Sequence, residues 1–212
     1  MQLIFVVYDG MTALDAIGPY EILSRLPGAR VTFAGVQAGP VRTDTGALSL
    51  VADRALADCR DPDLVLVPGG PSVRDQVTDT ALHDWLRAVD PATTWTTSVC
   101  TGSLILAAAG LLRGRTATSH WLALDLLPMY GVTPVAERVV QDGKYVTGAG
   151  VSAGIDLALT LAATIAGPQV AQSIQLACEY DPRPPFTAGS PLTAPPALVS
   201  RLRADAHLVL TT

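Results

Sequence analysis

Short unbroken apolar runs alternate along this chain with longer stretches in which apolar residues recur at helical spacing. Residues 3–7 (Leu-Ile-Phe-Val-Val) are continuously apolar, which predicts a strand buried on both faces. Residues 63–67 (Asp-Leu-Val-Leu-Val) read as another buried strand and run straight into Pro68-Gly69-Gly70-Pro71. Strands are also predicted over 30–36 and 94–99. Leu14, Ile17, Ile22, Leu23 and Leu26 share one broad helical face, predicting a helix over 14–26 with Gly18-Pro19 near its start, where proline is tolerated. Further helices are expected over 80–89, 103–112 (closed by Arg113-Gly114), 122–130 (stopped by Gly131), 152–166, 169–180 and 196–210. Two hairpins are expected. One covers 41–51 with Gly46 near the turn; the other joins 138–141 to 144–147 through Asp142-Gly143, a strong two-residue turn signal. Residues 181–196, rich in proline and glycine, read as an ordered loop or arm.

Buried strands alternating with helices imply a mostly parallel sheet covered on both faces. Ligands in such folds sit beyond the carboxyl ends of the strands. Asp9 to Asp15, Gly69-Gly70 and Cys100 all fall at such ends or just after them. At 212 residues the chain is expected to form one domain, spanning 1–212. It is 49% hydrophobic and only 16% charged, which predicts a sizeable subunit interface. The net charge is −5 and Lys144 is the sole lysine, so nucleic acid and anionic membrane are poor partners. No apolar run approaches the ~18 residues of a membrane span, and the N-terminus lacks a signal-peptide pattern. Cys59, Cys100 and Cys178 are odd in number and widely spaced. That pattern disfavours both a disulfide framework and a zinc site and fits a reducing, cytoplasmic setting.

The chemistry concentrates in Thr96-Thr97-Ser98-Val99-Cys100-Thr101-Gly102-Ser103. A strand ends in a cysteine and a helix begins directly after it, the arrangement of a nucleophile elbow. The N-terminus of that helix is expected to favour thiolate at Cys100. A buried structural cysteine is an equally good reading of spacing alone. Asp15, after the first strand, is either a helix cap or a carboxyl facing the sulfur, where burial would raise its pKa. Gly70 N–H, with Thr101 N–H, is a candidate oxyanion donor; a plain tight turn is the commoner use of Gly-Gly. Glu21 reads as a solvated charge or ion pair. His83 reads as exposed and His207 as peripheral. His120, in Thr118-Ser119-His120-Trp121, is the one plausible base, although a structural hydrogen bond is favoured for it. Cys59, in a polar loop, and Cys178, on an apolar helix face, read as structural.

These residues resemble the ThiJ/PfpI superfamily through Leu14-Asp15-x-x-Gly18-Pro19, Val67-Pro68-Gly69-Gly70, the Cys100 turn, Ala107-Ala108-Ala109-Gly110-Leu111-Leu112 and Thr118-Ser119-His120-Trp121. Glu137-Arg138-Val139-Val140, residues 147–156 and Pro184-Pro185-Phe186-x-Ala188-Gly189-Ser190-Pro191 make the chain similar to bacterial isocyanide (isonitrile) hydratases. The resemblance implies a flavodoxin-like three-layer α/β sandwich, a homodimer and a cysteine enzyme without metal or cofactor. Carried over, Cys100 is the nucleophile, Asp15 its acidic partner and Thr101 a further site residue. Gly69 and Gly70 border the site, and Gly150 and Val151 pack near the cysteine. The implied reaction adds water to an isocyanide through a thioimidate on Cys100, giving an N-substituted formamide. Many superfamily members carry glutamate where Asp15 stands, and the protease-like branch carries histidine where Thr101 stands. Competing readings are a related enzyme of small dicarbonyls (glyoxalase- or deglycase-like), a cysteine redox sensor and a non-catalytic ligand-binding domain.

Overall fold

A strand that is apolar on both sides must be covered on both sides, and helices on each face of one sheet do this. The computed structural model describes residues 1–206. The first half of the chain forms β1 (Gln2–Val6), α1 (Ala13–Leu23), β2 (Arg30–Gly35), β3 (Gly39–Arg42), β4 (Ser49–Ala52), β5 (Arg54–Ala55), β6 (Leu64–Val67), α2 (Val73–Gln76), α3 (Thr80–Val89) and β7 (Trp95–Val99). The second half forms α4 (Gly102–Ala108), β8 (Thr116–Ala117), β9 (Thr133–Pro134), β10 (Val139–Asp142), β11 (Tyr145–Gly148), α5 (Ala153–Ala166), α6 (Pro168–Ala177) and α7 (Pro196–Ala204).

Seven strands make the central sheet in the order β10-β11-β7-β6-β1-β2-β5. Every neighbouring pair is parallel except the β10–β11 hairpin. Side chains alternate between faces. Ile4, Val6, Val65 and Val67 meet Leu82, Leu86, Ile105 and Leu106 of α3 and α4. Leu3, Phe5, Leu64 and Leu66 meet Ile22, Leu23, Leu157, Leu161 and Ile174 of α1, α5 and α6. The result is the expected flavodoxin-like three-layer α/β sandwich. Both predicted hairpins form; β3–β4 stands apart from the main sheet.

Several local expectations are corrected. Pro19 lies well inside α1 rather than near its start. It is held there by a close crossing with α5, where a Cβ on Gly154 would come within 3.0 Å of the Pro19 ring. The helix after Cys100 stops at Ala108, short of residue 112, because Gly110 takes φ +86° and Leu111 N–H closes onto Leu106 O. Residues Leu124–Tyr130 are 3₁₀ rather than α. His83 is buried, not exposed; its Nε2 lies 2.9 Å from Gln76 O, because α2 folds over that side of α3. Cys59 is likewise buried among apolar residues, and its carbonyl accepts from Trp85 Nε1 at 3.0 Å. His207 and the end of the last predicted helix lie outside the described residues.

Candidate active site

Two residues separate the end of β7 from the start of α4. Cys100 is the first of them, with φ +58°. That left-handed conformation costs a non-glycine residue about 1–2 kcal/mol. Four hydrogen bonds hold it. The Cys100 N–H is shared between Gly148 O (3.0 Å) and Ala149 O (2.9 Å). The Cys100 carbonyl accepts from Ser103 Oγ (3.2 Å) and Ser119 Oγ (3.1 Å). The strand-to-helix elbow is therefore present, with its backbone clamped from three segments of chain.

Asp15 stands in the first turn of α1 but does not cap it. Its side chain turns inward and is fully buried, and Oδ2 accepts from Gly69 N–H at 2.9 Å. Oδ1 has no hydrogen-bond partner among the described residues. A buried oxygen left unpaired costs free energy, so its presence calls for a reason. Burial pushes the Asp15 carboxyl up to about 7, against the opposing pull of Gly69 N–H and the Cys100 thiol. Burial, and then the charge of Asp15, push the Cys100 thiol well up; N–H groups of Val151 and Thr101 donate to the sulfur and pull the other way. Burial and the neighbouring carboxyl thus work against the expected resting thiolate, and the thiol lies beside a carboxyl able to take its proton.

The glycine turn is also revised. Gly69 N–H serves Asp15, and Gly70 N–H donates to Thr101 Oγ1 at 2.9 Å, while Thr101 Oγ1 returns a bond to Gly70 O at 3.2 Å. Neither amide stands free as an oxyanion donor; they position the carboxyl and the threonine. A Cβ on Gly69 would lie 2.4 Å from Thr101 N, so only glycine permits this approach. Val151 N–H meets the Cys100 sulfur, and Gly150 before it lies against His120 in the cavity wall. Glu21 pairs with Arg25 at 2.8 Å on the surface. Cys178 caps α6 away from the site, part-buried, with Sγ 3.9 Å from Glu21 O.

Sequence reasoning missed Tyr8. Its buried hydroxyl donates to Pro68 O at 2.9 Å, and burial followed by the charge of Asp15 pushes its pKa well up. It sits within an apolar run that reads only as strand. Ser103 and Ser119 were visible in their motifs, but not as clamps on Cys100.

A cavity of about 410 Å³ adjoins the elbow, lined by Ser119, His120, Trp121, Gly150, Val151 and Pro191 among others. Cys100, 5% exposed, does not line it. It lies one layer behind, bonded to Ser119, Ala149 and Val151, which do.

The fold and site together define a class: a parallel α/β sandwich with a backbone-strained cysteine set against a buried carboxyl at the ends of β7 and β1. The DJ-1/PfpI family model matches residues 1–164, and the chain belongs to that family. It is 45% identical to an isonitrile hydratase of Pseudomonas putida, over all of this chain and 93% of that protein. A crystal structure of a ThiJ/PfpI family protein from Pseudomonas syringae superposes with a TM-score of 0.94 at 38% identity, covering 97% of this chain and 86% of the other. It is also 35% identical to the transcriptional regulator CdhR of Pseudomonas aeruginosa, over 79% of this chain but only 50% of that longer protein.

Proposed function

We propose that this protein hydrates isocyanides to N-substituted formamides, with Cys100 as nucleophile and Asp15 as proton carrier. The unpaired, buried Oδ1 of Asp15 beside the thiol carries this reading, together with full-length similarity to an isonitrile hydratase. Asp15 as carboxylate takes the thiol proton while sulfur bonds to the terminal carbon of the isocyanide. The same carbon then receives that proton from Asp15, leaving a thioimidate. Water adds to the thioimidate carbon and its nitrogen gains a proton. Collapse breaks the C–S bond, returns a proton to sulfur and releases the formamide. The isocyano group is linear and slender, which suits a sulfur set behind the wall of a larger cavity. Thr101, fixed by Gly70, and the Val151 N–H hold the sulfur in place.

The protein is read as acting as a homodimer in a reducing compartment. Leu176 (81% exposed), Phe186 (77%) and Leu192 (89%) are large apolar side chains that a second subunit would cover. All three cysteines are free, and no helix among the described residues is long and apolar enough to cross a membrane. Light scattering of the purified protein tests the dimer. For the activity, para-nitrophenyl isocyanide and methylglyoxal should be supplied in parallel and products read by NMR. A formyl proton from the isocyanide, absent in Cys100→Ala and Cys100→Ser, is the expected result. Turnover of methylglyoxal alone, or wild-type rates in either variant, would overturn the reading.

A further inference from the structure

The cavity beside Cys100 contains one polar side chain whose proton position is set by the backbone. His120 follows β8, and its Nδ1 accepts from Leu122 N–H at 3.3 Å. A ring nitrogen that accepts carries no proton, so the neutral imidazole holds its hydrogen on Nε2. Burial lowers the His120 pKa, which keeps the ring in that neutral form at pH 7. Nε2 has no protein acceptor among the described residues, and the ring lines the cavity beside Trp121. It is pressed onto the turn that holds the sulfur. A Cβ on Gly150 would lie 2.7 Å from His120 Cδ2 and 3.4 Å from Nε2, and Val151 next along donates its N–H to Cys100. The result is a donor without a protein partner among the described residues, on a ring that lines the cavity and packs on the turn holding the nucleophile.

Resting on the isocyanide reading, we propose that His120 Nε2–H is a catalytic hydrogen-bond donor to the nitrogen of the thioimidate and to the carbonyl oxygen of the formamide product. The nitrogen of an isocyanide has no free lone pair to offer. Once the C–S bond has formed, the same nitrogen is an imine-type acceptor. The donor therefore finds its partner only after attack has begun, which is where an interaction raises kcat rather than lowering KM. His120 neither gives up nor gains a proton in this role. Its bond polarises the C=N group while water adds to carbon, and it holds the oxygen of the product until release.

Full-length wild type, His120→Phe and His120→Gln are compared with para-nitrophenyl isocyanide as substrate and para-nitroformanilide as product inhibitor. His120→Phe should lower kcat about tenfold and change KM by less than about twofold, as expected for a bond made only after attack. Product inhibition should weaken in parallel. His120→Gln, which keeps a donor at the same reach, should restore most of both. Alkylation of Cys100 by iodoacetamide should proceed equally in all three, which a disturbed fold would not allow. Unchanged kcat and inhibition in His120→Phe, or no recovery in His120→Gln, overturns the role of His120 while isocyanide turnover by the wild type stands. ¹⁵N NMR of the wild-type histidines removes dependence on the variants. Added formanilide should shift His120 Nε2 and leave it protonated, and an unmoved resonance overturns the proposal. A wild type that hydrates no isocyanide overturns both readings.

Discussion

The central sheet buries one carboxyl at each end, and the two are treated differently. At the amino end of β7 and β11, Asp90 accepts from Thr96 Oγ1 (2.7 Å), Tyr145 hydroxyl (2.8 Å) and Lys144 Nζ (3.2 Å). Its own carbonyl accepts from Thr93 Oγ1 and Lys144. At the carboxyl end of β1 and β7, Asp15 has one backbone N–H and an oxygen with no partner, next to a cysteine in a strained conformation. Both carboxyls are shielded from water, but only Asp15 is left incomplete. A satisfied buried network ties strands together; an unsatisfied one keeps a lone pair free for a proton in transit.

The sharpest way to break this comparison is to neutralise each carboxyl in turn. Asp15→Asn should cost about 10²–10⁴-fold in turnover of para-nitrophenyl isocyanide, the usual range for a positioned acid–base group. In the wild type, kcat/KM should fall as pH drops through about 7, because in the proposed reaction the carboxylate form takes the thiol proton. That acid limb should be missing in Asp15→Asn. A limb that persists there belongs to another group.

Stability should move the opposite way at the two ends. Folding holds Asp15 protonated up to about 7, against 3.8 for an unperturbed aspartate. The folded state thus binds the extra proton between those values. Its stabilising effect is complete below pH 4 and lost as pH rises past 7. At pH 8 the wild type carries a buried charge that Asp15→Asn removes, so the variant should be more stable there, on the order of 4 kcal/mol, and close to wild type at pH 4. Asp90→Ala should instead lose about 2–3 kcal/mol at every pH near neutrality, since it strands the Tyr145 and Thr96 hydroxyls. Its turnover per folded molecule should be unchanged. Urea denaturation at pH 4 and pH 8 for the three proteins checks both signs.

Much of this site is local in the chain and could be read there. Residues 3–7 and 64–67 are apolar throughout because both their faces are covered. The cysteine elbow is legible because strand and helix patterns meet at Cys100 with two residues between. What escaped depends on distant contacts. Asp15 turns inward to meet Gly69, 54 residues away, and no spacing near Asp15 announces that. The thiol was expected to be acidified by α4, yet burial and the charge of Asp15, which comes from the first helix, push its pKa up. Gly69-Gly70 looked like free donors because their acceptors, Asp15 and Thr101, come from elsewhere. His83 looked exposed because α3 is polar around it, while α2 covers it only in the folded chain. His120 read as structural, and half of that holds: one ring nitrogen is tied to the backbone, while the ring lines the cavity.

The central claim is that substrate becomes covalently attached to Cys100 with its proton passing through Asp15. Rapid-quench peptide mapping with para-nitrophenyl isocyanide measures this directly. The peptide containing Cys100 should gain the full mass of the substrate within the first turnover, and do so far more slowly in Asp15→Asn. Product formation with Cys100 unmodified throughout, in an enzyme quenched fast enough to catch the first turnover, would contradict it.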